Sequence, residues 1–150
     1  MRLKDKIAIV VGAGQSPGEG MGNGRATVLR FVQEGATVMA ADRDLASAEE
    51  TVAMARQHGP CVAFETDVTK EKMLAAMVAA ARQKFGRIDV LHYNVGLSIA
   101  GGDAPPSEIT EEAFDRIVAR HRGRASFSPS RRSRPTKIIL TSPTRQPKRG

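Results

Sequence analysis

At 150 residues the chain is long enough for one domain with a substantial core. It is 41% hydrophobic but has no run of 18 apolar residues, which argues against a membrane-spanning helix. Its single cysteine, Cys61, leaves no internal disulfide framework and no cysteine-based zinc site. The net charge of +7 is uneven: residues 1–119 carry −3, whereas residues 120–150, with ten basic residues and no acid, carry +10. Residues 1–6 are charged and lack the apolar core of a signal peptide, so a reduced, cytoplasmic setting is expected.

Ile7, Ala8, Ile9, Val10 and Val11 form an apolar run of strand length, suited to a strand buried on both faces. A glycine-rich segment follows, with Gly12, Gly14, Gly18, Gly20, Gly22 and Gly24. Strict G-x-G-x-x-G is absent, because Pro17 stands three places after Gly14. G-x-x-x-G-x-G occurs twice, at Gly14, Gly18, Gly20 and at Gly18, Gly22, Gly24. Residues 25–33 then read as a helix with Ala26, Leu29, Phe31 and Val32 inward, stopped by Glu34 and Gly35. Between a strand and a helix, such glycines let a phosphate approach the backbone, and the helix N-terminus offers it unpaired N–H groups. The alternative is a flexible loop that happens to be rich in glycine.

Residues 36–41 are a second buried strand ending at Asp42 and Arg43. Asp44 is placed to cap a helix over 45–58 with Leu45, Ala48, Val52 and Ala55 inward, closed by Gly59 and Pro60. Residues 61–64 are a third strand, followed by Thr66, Asp67 and Val68. Thr69 is placed to cap a helix carrying Met73, Leu74, Met77, Val78, Ala81 and Phe85, with Gly86 at its end. Residues 88–93 are a fourth strand leading into Asn94, Val95 and Gly96. After a Gly/Pro-rich loop over 98–106, Thr110 and Glu111 begin a further helix with Phe114, Ile117 and Val118. This alternation predicts an α/β fold with a parallel sheet and right-handed crossovers. Ligands bind such sheets beyond the carboxyl ends of the strands, which places Gly12, Asp42, Asp67 and Asn94 on one crevice.

Asp42, thirty residues after Gly12, can accept both hydrogen bonds from an adenosine ribose and would repel a 2′-phosphate, which favours NAD over NADP. Arg43 pulls the other way, since a guanidinium pairs with phosphate. Asp67 can accept from an adenine amine while Val68 packs on the ring; Asn94 can brace neighbouring backbone, and Gly96 leaves room for a ribose. Each of these positions also reads as an ordinary turn. Tyr93, the single tyrosine, has no nearby lysine to lower its pKa and reads as a packing residue. His58, His92 and His121 lack metal-ligand spacing, and Cys61 reads as a buried, inert thiol.

Together, the glycine segment, Asp42, Asp67-Val68 and Asn94-Val95-Gly96 resemble the short-chain dehydrogenase/reductase family over about residues 5–119. The resemblance implies a Rossmann-like doubly wound parallel sheet, a nicotinamide cofactor, and hydride transfer with an alcohol or carbonyl substrate. Family members are commonly dimers or tetramers. The implied cofactor-binding positions are Gly12, Gly14, Ser16, Gly22, Gly24, Asp42, Arg43, Asp67, Val68, Asn94 and Gly96, with no catalytic and no metal-binding residue assigned.

The chain departs from the family in three places. Its glycine segment is longer than the usual Gly-x-x-x-Gly-x-Gly; if Gly22 and Gly24 open the helix, the extra residues lie around 15–20. His92 and Tyr93 replace the usual apolar residue and Asn. No tyrosine follows Tyr93, so the family's Tyr-x-x-x-Lys pair is absent from this sequence, and Arg120-His121-Arg122-Gly123 keeps only the glycine of Asn-x-x-Gly. The sheet is therefore expected to be incomplete. Residues 120–150 read as a disordered Arg/Ser/Pro-rich tail, as if the reading frame changed near residue 120. Within the tail, Lys137-Ile138-Ile139-Leu140-Thr141-Ser142 is similar to the family's fifth strand, with Ser142 near its catalytic serine.

Two other readings stand beside this one. The basic tail could bind nucleic acid, but it has one aromatic, Phe127, and no recognisable reading module. Alternatively, the chain is a non-catalytic, NAD-binding regulatory subunit that pairs with a full-length relative.

Overall fold

The computed structural model describes residues 1–15, 20–96, 110–113, 115 and 137–140. Strands β1 (Ile7–Val11), β2 (Thr37–Asp42), β3 (Cys61–Glu65), β4 (Val90–Tyr93) and β5 (Lys137–Leu140) form one sheet in the order β3-β2-β1-β4-β5. Every pairing is parallel. The chain returns to the start of the sheet through helices α1 (Asn23–Gln33), α2 (Leu45–Ala55) and α3 (Glu71–Phe85). This is the expected Rossmann-like, doubly wound architecture.

The apolar run of β1 is unbroken because helices cover both faces of the sheet. Ala8 and Val10 pack with Val38 and Ala40 of β2 beneath Val28 and Val32 of α1 and Val52 and Ala55 of α2. Ile9 and Val11 point the other way, with Met39 and Ala41, onto Leu74, Met77 and Ala81 of α3. One strand thus supplies two cores by simple alternation.

Several element details differ from expectation. α1 begins at Asn23, and its inward stripe is Gly24, Val28 and Val32, while Ala26 is exposed. The stripe is set by Gly24, which must lie against β1. α2 ends at Ala55 rather than at His58, whose N–H bonds the Ala55 carbonyl in a turn. Leu45 is exposed, while Ala48, Val52 and Ala55 face inward as expected. Thr69 does not cap α3: its hydroxyl and N–H both bond the Asp67 carboxylate, and Lys70 takes the cap position. A local aspartate turn competes successfully with the cap there. β4 starts at Val90, because the Asp89 carboxylate instead accepts the Ile7 N–H.

The largest difference lies in the tail. Lys137–Leu140 pairs with β4, with Lys137 opposite Val90 and Leu140 opposite Tyr93. The expectation of disorder, which rested on composition averaged over 120–150, fails for these four residues, whereas their likeness to the family's fifth strand holds, and Ile138, Ile139 and Leu140 have strong strand preference. Ser142 and the rest of that tail lie outside the described residues. Residues 111–113 are helical as expected, with the Ala113 N–H bonded to the Thr110 hydroxyl.

Candidate functional site

Strand order reverses between β1 and β4, so the loops leaving their carboxyl ends part and open a cleft of about 390 Å³. Its floor is the glycine segment. Gly12 adopts a positive φ of 79°, and its N–H and that of Ala13 both bond the Ala41 carbonyl. A Cβ on Gly12 would stand 2.7 Å from the Asn94 carbonyl oxygen, and one on Gly24 only 1.7 Å from the Gly12 carbonyl oxygen. Backbone meets backbone at both points, so α1 sits directly on the turn.

Gly22 is the N-cap of α1, and the cap carries no side-chain hydrogen bond of its own. The first helical bond runs from the Ala26 N–H to the Gly22 carbonyl at 3.0 Å, so the N–H groups of residues 23–25 have no partner within the helix. No acid occupies this first turn, and the positive end of the helix dipole faces the cleft uncompensated by a carboxylate of its own turn.

Across the cleft, Asp42 ends β2. One carboxylate oxygen accepts the Gly14 N–H at 2.8 Å and the other the Asp44 N–H at 3.1 Å. Each oxygen retains a second lone pair, so these bonds orient the carboxylate without exhausting it. Arg43 beside it is exposed on the rim. Asp44 caps α2 as expected, accepting the Ser47 N–H at 3.2 Å. Val68 is buried beside Asp67 after β3. After β4, the Asn94 side-chain amide reaches toward the Gly12 carbonyl at 3.5 Å and its N–H bonds the Val11 carbonyl. Gly96 completes this side. The fold therefore gathers Gly12, Gly14, Gly22 and Gly24 with Asp42, Arg43, Asp67, Val68, Asn94 and Gly96 around one cleft. Ser16 lies outside the described residues.

Sequence reading missed the polar side chains behind the glycine segment. Thr51, fully buried on α2, donates to the Ala13 carbonyl at 2.9 Å and accepts from Arg25 Nε at 2.9 Å. Ser47, one turn earlier, accepts the Gln15 N–H at 2.7 Å. A sequence signal existed: Ser47 and Thr51 flank Ala48 and Val52 on the inward stripe of α2, where an apolar pair would be ordinary.

Tyr93 and His92 are buried on opposite faces of β4. Tyr93 packs on the α3 side, and the His92 ring meets Phe31 edge to face with centroids 6.0 Å apart. Burial lowers the His92 pKa and pushes the Cys61 thiol up to about 11, which keeps that thiol protonated and unreactive. Among the described residues, no cluster of His, Cys, Asp and Glu is suited to a metal ion, and no helix is long and apolar enough to cross a membrane.

The family model for short chain dehydrogenase matches residues 6–121. The chain belongs to the short-chain dehydrogenase/reductase family. A galactitol 2-dehydrogenase of Agrobacterium fabrum is 37% identical over 118 residues, covering 78% of this chain and 41% of that relative. The oxidoreductase YxbG of Bacillus subtilis is 34% identical over 119 residues, covering 79% of this chain and 41% of its own length. Among solved structures, the 3-ketoacyl-(acyl-carrier-protein) reductase of Brucella melitensis complexed with NADH superposes with a TM-score of 0.69 at 35% identity, covering 83% of this chain and 47% of that one. The chain thus spans under half the length of these short-chain dehydrogenase/reductase relatives.

Proposed function

We propose that residues 5–119 form a nicotinamide-dinucleotide-binding unit that prefers NAD over NADP. The observation carrying this reading is the Asp42 carboxylate, oriented by two backbone N–H groups across the cleft from the start of α1, whose first turn holds no acid. A dinucleotide spans these two features: its pyrophosphate suits the helix N-terminus, and its adenosine ribose diol suits the carboxylate. A 2′-phosphate there would face a negative charge, with only the exposed Arg43 in compensation. Asp67 and Val68 would take the adenine, and Asn94 and Gly96 the nicotinamide ribose side. When bound, the cofactor supplies hydride transfer, the chemistry of the family, with an alcohol or carbonyl as the other partner.

Titration calorimetry with NAD⁺ and NADP⁺ tests this reading. Tighter binding of NAD⁺ is expected, and equal affinity or a preference for NADP⁺ would overturn the role given to Asp42.

A further inference from the structure

The glycine segment is longer than the Gly-x-x-x-Gly-x-Gly turn it resembles, yet α1 still starts against Gly12. One side chain accounts for this. The Gln15 side-chain carbonyl accepts the Gly22 N–H at 2.7 Å, and its amide donates to the Gly20 carbonyl at 3.1 Å. The backbone of Gln15 is itself anchored: its N–H bonds the Ser47 hydroxyl at 2.7 Å, which in turn lies 3.4 Å from the Gln15 carbonyl. The preceding residues are fixed as well, Gly14 by Asp42 and Ala13 by Thr51. Gln15 therefore joins the two ends of the segment that flank residues 16–19, and it binds the N–H of the residue that caps α1. In an ordinary capping box that N–H is satisfied from within the helix, three residues on, where this chain has Arg25.

The geometry points to Gln15 as a positioning residue for the dinucleotide site, holding Gly22 and the start of α1 in place. This inference rests on the dinucleotide-binding reading above.

The experiment compares the full chain with Gln15→Ala. NAD⁺ affinity is measured by calorimetry and amide exchange at Gly22 by NMR. Loss of the part-buried bond to Gly22 predicts that Gln15→Ala weakens NAD⁺ binding about tenfold and speeds Gly22 exchange by a similar factor. A merely stabilising role would lower the thermal midpoint of Gln15→Ala while leaving the folded chain's affinity intact. Unchanged Gly22 exchange in Gln15→Ala overturns the clamp whether or not any cofactor binds. If the full chain binds no NAD⁺ while Gly22 exchange responds as expected, the clamp stands and the dinucleotide-binding reading falls.

Discussion

His92 shows how one buried polar residue couples this fold to pH. It lies on β4 with its ring against Phe31, 4% exposed, and desolvation holds its pKa below the 6.5 of an ordinary imidazole. In the unfolded chain the ring protonates as pH falls through 6.5, while in the folded chain it resists. Stability contributed by the neutral ring is therefore full above that pH and is lost on acidification toward the lowered native value. The loss cannot exceed about 1.4 kcal/mol per pH unit for one group. Denaturant unfolding at pH about 7.5 and about 5.5 should show the folded chain weakening on acidification, and His92→Leu should flatten that slope. An identical slope in the variant would assign the effect elsewhere. Asp89 titrates in a different range: burial pushes its carboxyl up, but the Ile7 N–H and the Arg87 guanidinium outweigh this and hold it below the usual carboxylate value.

At the scale of elements, the decisive contact is α1 seated on the end of β1. Ridge-into-groove packing through side chains would hold a helix well off the strand. Here Gly24 brings the α1 backbone onto the Gly12 carbonyl, and both positions exclude a side chain. Gly24→Ala must push the helix start away from the turn, because the atom it meets is backbone and cannot rotate aside. The expected cost is about 3 kcal/mol, at the upper end for overpacking, with a matching fall in the urea midpoint. A fall equivalent to less than about 1 kcal/mol would mean that the turn yields freely. α2 supports the same turn from behind through Ser47 and Thr51, and its own start is fastened to β2 through Asp44 and Asp42. At its described residues the glycine turn is thus held by three elements.

For the whole molecule, the cleft unites groups that are scattered in the unfolded chain, so a ligand that spans them binds only the native state. NAD⁺ at about a hundred times its Kd should then stabilise the fold by about 2.7 kcal/mol. For a chain of this size that raises the thermal midpoint by roughly 5–10 °C. A melt that NAD⁺ leaves unmoved at saturating concentration would contradict native-state binding. The same measurement in NADP⁺ should give a smaller rise, for the reason argued at Asp42.

Much of this was legible in the sequence because it rests on local rules. Two-sided apolar runs such as β1, helices of three or four turns between them, and breaks at Gly35, Gly59 and Gly86 reflect periodicity and backbone preference, which neighbouring residues decide. The positions closing each strand follow once the sheet is parallel, which is how Gly12, Asp42, Asp67 and Asn94 could be named from sequence and then found on one cleft. Tertiary structure alone decided the rest, since hydrogen bonds and close contacts depend on distance in space and not along the chain. That Thr51 holds Ala13 from 38 residues away and that Gln15 bridges to the cap of α1 are facts of packing. No pattern of residue types encodes which donor will reach which acceptor once two helices and a strand converge.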